Sequence, residues 1–337
     1  MQRAYTLTSE KSYQKLIEEA LQRARSNLSQ QILHDGDELR NQTEPTLRPI
    51  STGIESLLHR PLAVLDHGFI RIVDYMGDDG AVVQAARVST GKGTRAVNTD
   101  QGLINYLLRN RHSTPFEMCE IKMHVKLPIF VARQWIRHRT ANVNEISARY
   151  SILDREFYIP EQDKLAAQST DLKQGRADQP LSEEQAILVQ NLLREDAVRA
   201  YDNYEVLLNN DAEGNVLDEN RDGIARELAR MNLSLNFYTQ WYWKIDLHNL
   251  LGFLALRTDS HAQYEIRAYA DVLLEIVRQW VPLVYNSFEK YRVGGAALSA
   301  GGKEAITRML RGEQVEREDV GMSAGEWREF KATFEIE

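Results

Sequence analysis

Residues 119–147 read CEIKMHVKLPIFVARQWIRHRTANVNEIS. The first third alternates. Ile121, Met123 and Val125 share one side, and Lys122, His124 and Lys126 the other. That period of two predicts a strand over Cys119–Leu127 with one apolar face and one polar face. Pro128 suits the first turn of a helix. The apolar run that follows carries this helix through Arg133, Trp135 and Ile136 into Arg137-His138-Arg139. Asn144, Glu145, Ser147 and Arg149 come next, and Ser147–Ser151 reads as another short strand. A basic cluster joined directly to an apolar segment is unusual. Arginine is preferred in it, and its planar fork suits phosphate or carboxylate.

The whole chain narrows the anion. It has 337 residues, a net charge of −8, 43% hydrophobic and 27% charged residues. This is globular composition with enough apolar material for a sizeable core. The acidic balance argues against general nucleic-acid or anionic-membrane binding, so a basic site here points to a small anionic ligand. The single cysteine, Cys119, allows no disulfide within the chain. With no membrane-length apolar run and no signal-peptide core near the start, the expected location is cytoplasmic.

Outward from the opening stretch, residues 1–60 form a polar helical leader. Ser9 is a candidate N-cap, and Tyr13, Leu16, Ile17, Ala20, Leu21 and Ala24 recur at helical spacing. HDGDELRNQTEPTLRPISTG, residues 34–53, reads as a turn-rich linker. A strand is expected at Gly68–Tyr75, a helix from Asp79 or Gly80 that stops at Ser89-Thr90-Gly91, and a helix capped by Asp100. His112–Glu117 reads as a loop. Residues 160–221 form an insertion, with a polar loop and then a helix started by a Ser182–Gln185 capping box. Residues 223–257 read as helix, interrupted near Asn232–Thr239 by a strand-like or irregular stretch, and 259–288 as one long amphipathic helix. The expected division is leader 1–60, catalytic domain 61–295 and tail 296–337 with a short helix.

Cys119 sits in an alternating strand with no activating partner, so it reads as a small core residue, not a nucleophile. The eight histidines form no HExxH, and no CxxC accompanies them, so no metal site is expected. GxGxxG and GxxxxGK[ST] loops are missing too. Any phosphate is then held by arginines and backbone amides. A basic helix end can be a solvated C-terminus favoured by the dipole. Arg133, Arg137 and Arg139, however, come off an otherwise apolar helix. Arg230 and Arg257 lie in apolar segments, and more plausibly join this cluster than pair separately. His261 reads equally well as a helix cap or a ligand.

RHRTANVNEISARYS, with RHR at 137–139 and a serine after seven intervening residues, resembles the signature of the flavin-dependent thymidylate synthases. AARVSTGKG (85–93), HSTPFEM (112–118), VKLPIFVARQW (125–135), ELARMNLSLNFYTQWYWKIDLHNLL (227–251) and LRTDSHAQYEIRAYA (256–270) support it in family order. The resemblance covers roughly residues 62–160 and 222–295. It implies an α+β fold like that of the thymidylate synthase-complementing proteins: a mixed, mostly antiparallel sheet packed with long helices, here with a helical N-terminal extension. It also implies reductive methylation of dUMP to dTMP, with 5,10-methylenetetrahydrofolate as carbon donor and NADPH as reductant through FAD. No cysteine nucleophile is needed. The expected assembly is a homotetramer with shared active sites.

Carried over residue by residue, the resemblance implies that Arg137, His138 and Arg139 contact FAD. Thr114, Ser89, Glu145, Asp246, His248, Gly252 and His261 join them, with His112 nearby. Gln134, Trp135, Ile136, Arg137, Glu145, Ile146, Ser147, Ala148, Arg149 and Arg230 would embrace dUMP. Arg257 would sit at the uracil ring as the catalytic cation. Asp246, His248 and Gly252 depart from the family's usual residues, and Gly252 offers only backbone. Two competing readings are a flavin-dependent NADPH oxidase on the same scaffold and a nucleotide- or RNA-binding module. The net charge weighs against the second.

Overall fold

The computed structural model describes residues 10–41, 44–89, 100–170 and 175–336. The expected cap at Ser9, the stop at Thr90-Gly91 and the end of the 85–93 motif lie outside the described residues. In chain order, helices α1 (Glu10–Asn27), α2 (Gln30–Asn41) and α3 (Thr52–Glu55) precede strands β1 (Pro61–Val64) and β2 (Gly68–Met76). Helices α4 (Asp79–Val88), α5 (Gln101–Arg109) and α6 (Thr114–Glu117) lead to β3 (Glu120–Pro128), α7 (Ile129–Trp135) and β4 (Asn142–Glu145). A small hairpin, β5 (Ala166–Gln168) and β6 (Arg176–Pro180), is followed by α8 (Glu183–Leu208) and α9 (Arg226–Ala229). Then come β7 (Tyr238–Asp246), α10 (Leu247–Arg257), α11 (Tyr264–Trp280), α12 (Pro282–Phe288), α13 (Ala300–Met309) and α14 (Ala324–Thr333).

The main sheet has five strands in the order β1-β2-β3-β7-β4, antiparallel at each pairing. Its register places Ile72, Met123 and Trp243 in one row and Arg71, His124 and Tyr242 in the next. The first row belongs to the core, where the sheet meets Trp135, Phe253, Leu273 and Trp280. The second row makes the polar face. There the Arg71 guanidinium donates to His124 Nδ1 at 2.9 Å, so the ring proton sits on Nε2 and is donated to Gln240 Oε1 at 2.9 Å. Burial, then the Arg71 charge, pushes the His124 pKa down to about 4, and the ring is neutral.

Several elements differ from the reading above. Residues 34–41, read as the start of the linker, belong to α2. Gly36 lets that helix cross the chain closely, because a Cβ there would meet the His59 carbonyl oxygen at 2.5 Å. The strand begins at Tyr238, inside the expected strand-like or irregular interruption, and continues over 240–246, where helix was expected. Trp241, Trp243 and Ile245 alternate inward and pair with β3. The strand after the basic motif is Asn142–Glu145, held on the edge of β7, while Ser147–Ser151 is a turn closed by Tyr150 N–H to the Ser147 carbonyl at 2.9 Å. Thr114–Glu117 inside the expected loop forms a helical turn. The single helix over 259–288 divides at Val281-Pro282, since proline has no N–H to continue the ladder. Asp100 does not cap α5 through its side chain; it is buried against Arg87 at 2.5 Å. Among the described residues no helix is long and apolar enough to cross a membrane.

Candidate active site

Two groups of cations stand at the ends of α7 and β4. The first lies where α7 runs out. His138 Nε2 bonds the Asn249 carbonyl at 3.1 Å and approaches Thr140 Oγ1 at 3.1 Å, and the ring meets the edge of Phe253 with centroids 5.4 Å apart. A carbonyl only accepts, so this nitrogen carries the proton. Burial lowers the His138 pKa, the Asn249 carbonyl raises it, and the Arg257 charge lowers it again. The Asn249 and Phe253 contacts tie α10 to the RHR turn, and Arg257 ends that helix. Burial also lowers the Arg257 pKa. Its Nε is buried with no partner, and it forms no ion pair among the described residues. Arg137 and Arg139 are exposed.

Helix α10 is positioned by its own start. Asp246 accepts from the Asn249 N–H at 2.9 Å and from the Asn249 amide at 2.6 Å, so this carboxylate is a helix cap. His248 is half-buried and Gly252 is exposed. Thr114 starts α6, which packs against both α10 and α4, and Ser89 is the exposed C-cap of α4. His112 stacks on Tyr106 with centroids 5.7 Å apart. His261 is exposed and turned onto Asp259 at 2.8 Å.

The second group follows β4. Glu145 accepts from Thr239 Oγ1 at 2.6 Å, and the Ile146 N–H reaches the Gln240 carbonyl at 2.8 Å, which prolongs the pairing with β7. Ser147 Oγ accepts the Arg149 N–H at 3.3 Å, a turn contact and not a nucleophile–base pair. Arg149 Nε lies 3.4 Å from Glu227 on α9, and Arg226 on the same helix donates to the Tyr150 carbonyl at 2.7 Å. Arg230 follows one turn later, exposed. Gln134 leaves Oε1 buried without a partner among the described residues. Trp135 and Ala148 are buried and Trp135 packs into the core, so a ligand can meet Trp135 only through its main chain; Ile136 is exposed.

The structure thus sets the Arg137-His138-Arg139 turn against α10, which ends in Arg257, and Arg149 against α9, which Arg230 caps. It adds Asn249, Thr239 and Arg226, which the sequence reading missed. Asn249 and Thr239 act through a bond that only the fold creates, so no local pattern marks them. Arg226 lies four residues before Arg230, a helical spacing that could have been noticed. Arg149 has the exposed Glu227 as a partner, whereas Arg137, Arg139, Arg230 and Arg257 form no ion pair among the described residues; such cations suit a phosphate or an electron-rich ring. Cys119 is wholly buried at the foot of β3. Its thiol meets the Asp78 carbonyl at 3.5 Å, and burial pushes its pKa up to about 12. A thiol so held is no nucleophile at neutral pH.

Residues 71–283 match the family described as thymidylate synthase complementing protein. The flavin-dependent thymidylate synthase of Rickettsia bellii is 61% identical over 285 residues, 85% of this chain and 97% of that protein. The enzyme of the same name from Ruegeria pomeroyi is 58% identical over 304 residues, 90% of this chain and 98% of that one. Among solved structures, the UMP/dUMP methylase PolB from Streptomyces cacaoi bound with 5-Br UMP superposes with a TM-score of 0.59. It is 31% identical, over 67% of this chain and 95% of that one.

Proposed function

The chain belongs to the family of flavin-dependent thymidylate synthases, and we propose that it converts dUMP to dTMP with 5,10-methylenetetrahydrofolate as carbon donor and NADPH as reductant, through FAD. The observation that carries the reading is the desolvated Arg257, its Nε buried and unpartnered, beside the protonated ring nitrogen of His138. A cation held this way in the absence of a carboxylate is the arrangement expected where negative charge is to be stabilised.

The donor set fits the cofactor. Arg137 and Arg139 would meet the FAD pyrophosphate or ring edge, with Thr114, Ser89, His248 and His261 around it and Gly252 offering backbone. When bound, FAD supplies hydride chemistry. The nucleotide would lie along the second group. Arg149 and Arg230 take its phosphate, Gln134 offers its orphaned carbonyl oxygen to a ring N–H, and Glu145, braced by Thr239, fixes the near wall. Arg257 favours the ionised uracil amide and so raises electron density at the carbon to be alkylated. The closed state of Cys119 fits chemistry without a cysteine nucleophile. The candidate face is open in one chain, which supports active sites completed by neighbouring subunits of a homotetramer. We place the enzyme in the cytoplasm.

The test is an absorbance spectrum followed by tritium release from labelled dUMP. A yellow protein that releases tritium only with methylenetetrahydrofolate and NADPH supports the reading. Well-folded protein with neither flavin nor turnover overturns it, and NADPH oxidation without thymidylate would make it a flavin oxidase.

A further inference from the structure

Tyr201 and Tyr204 stand three residues apart on α8, so both leave the same face of the helix. Their rings are wholly buried and meet edge to face, with centroids 5.6 Å apart. With Phe237 and with Ala229 of α9 they close a small core separate from the main one. A buried phenol needs a partner for its hydroxyl. Here both hydroxyls go to one residue outside the helix. Tyr201 donates to the Leu153 carbonyl at 2.6 Å, and the Leu153 N–H reaches Tyr204 Oη at 3.4 Å. Arg155, two residues on, lies over the Tyr201 ring at 5.1 Å and pairs with Asp202 of the same helix at 2.6 Å.

Leu153 ends the loop that leaves β4 and carries Arg149. The loop is pinned at its start by the Ile146 N–H on the Gln240 carbonyl, and Ser147–Ser151 is closed by bonds within itself. Between Ile146 and Leu153, the one main-chain bond to the rest of the chain among the described residues runs from Arg226 to the Tyr150 carbonyl. The two hydroxyls therefore fix the far end of an otherwise exposed segment. The rings beneath them pack on Ala229, whose neighbour Arg230 caps α9. We propose that Tyr201 and Tyr204 are positioning residues for the nucleotide phosphate: their hydroxyls set the arm that carries Arg149, and their rings set the arm that carries Arg230. The inference rests on the reading that these two arginines take the phosphate of dUMP. It gives α8 a part in substrate binding without a contact to substrate.

Steady-state kinetics and equilibrium dialysis of labelled dUMP on the full-length, flavin-loaded protein test it. Y201F/Y204F keeps both rings and removes only the hydroxyls. It should raise the KM and the dissociation constant for dUMP about ten-fold, with kcat within about two-fold and the flavin spectrum unchanged. A merely structural role would lower the melting point and leave dUMP binding by the folded enzyme as it was. In an R149A background the same two changes should add less than about two-fold, because the cation that the loop carries is already gone. Unchanged dUMP binding in Y201F/Y204F, an equal fall in kcat and kcat/KM, or effects that multiply with those of R149A would overturn the inference. Should the double variant fail to fold, Y201F alone, which loses the shorter bond, decides on the same readouts. Failure of the underlying reading looks different: R149A itself binds dUMP like the wild type, or the wild type holds no flavin and does not turn over.

Discussion

Arg257 and Gly252 sit on one helix and show what a single position can and cannot reveal. Arg257 stood out in the sequence as a cation among apolar residues, but its neighbour His138 lies far away along the chain. Only the fold, through the His138–Asn249 bond, sets the helix that ends in Arg257 against the RHR turn. Arg257→Ala should cut tritium release by about 100-fold or more, the usual scale for removing one preorganised stabilising group. The flavin spectrum should persist, because Arg137 and Arg139 remain; loss of flavin with methylation retained would contradict the role. Gly252 is the opposite case. It lies inside α10 without a left-handed φ, and a Cβ built on it meets nothing within 4 Å. Glycine there costs about 1 kcal/mol against alanine and gains nothing within one chain. Gly252→Ala should therefore stabilise the flavin-free protein by up to about 1 kcal/mol in a urea melt. No gain, or a loss, would show that something already lies on that backbone. Cys119→Ala should keep full turnover in the tritium assay, since the buried thiol faces away from the chemistry.

At the level of elements, legibility followed how much of each element's stability is local. Strand β3 alternates so cleanly that its limits were readable to within a residue. Strand β7 alternates too, but Tyr242 between Trp241 and Trp243 fills the polar phase with an aromatic and hides the period. Strand β4, Asn142–Glu145, has no apolar pattern and exists because β7 offers an edge. The short-range signal at Ser182 did its local job and accepts the expected Gln185 N–H, while Asp78, which was read only as part of a turn, caps α4 by accepting the Ala81 N–H. Asp79 does more than start α4. Buried, it accepts the N–H groups of Leu283 and Val284 at 3.0 and 2.9 Å and so clasps α12 to α4. Burial raises its pKa from 3.8 to about 6 in spite of those bonds. A folded-state pKa above the unfolded one means that the folded protein binds more protons between these values. The contribution of Asp79 is then fully present below pH 3.8 and is lost as pH rises through 6, by about 3 kcal/mol at most. Asp79→Asn should flatten this stretch of the stability profile. Urea unfolding of both proteins between pH 4 and 7 checks it, and parallel profiles would remove Asp79 from the clasp.

Across the whole molecule, the two ends of the chain look alike in sequence, polar and helical, but the structure treats them differently. The leader enters the main core: Ile17 and Ala20 pack with the sheet and α11, while Ala24 and Leu28 cluster with Ala63 of β1 and Phe69 of β2. The tail keeps to itself. Ala305, Val315, Met322 and Phe330 close a small core of their own that shares no residue with the main one. It follows the break at Gly294-Gly295, beyond the family match that ends at residue 283. A unit with its own core adds little to the stability of its neighbour. Deleting residues 1–41 should therefore cost at least several kcal/mol, at roughly 1.5–3 kcal/mol for each large buried side chain such as Ile17 and Leu28. Deleting 296–337 should leave the urea midpoint and tritium release of the remaining chain unchanged. The comparison is made on the two truncated proteins side by side. A tail deletion that lowers the midpoint as far as the leader deletion would show that α13 and α14 brace the catalytic region and are not an independent unit.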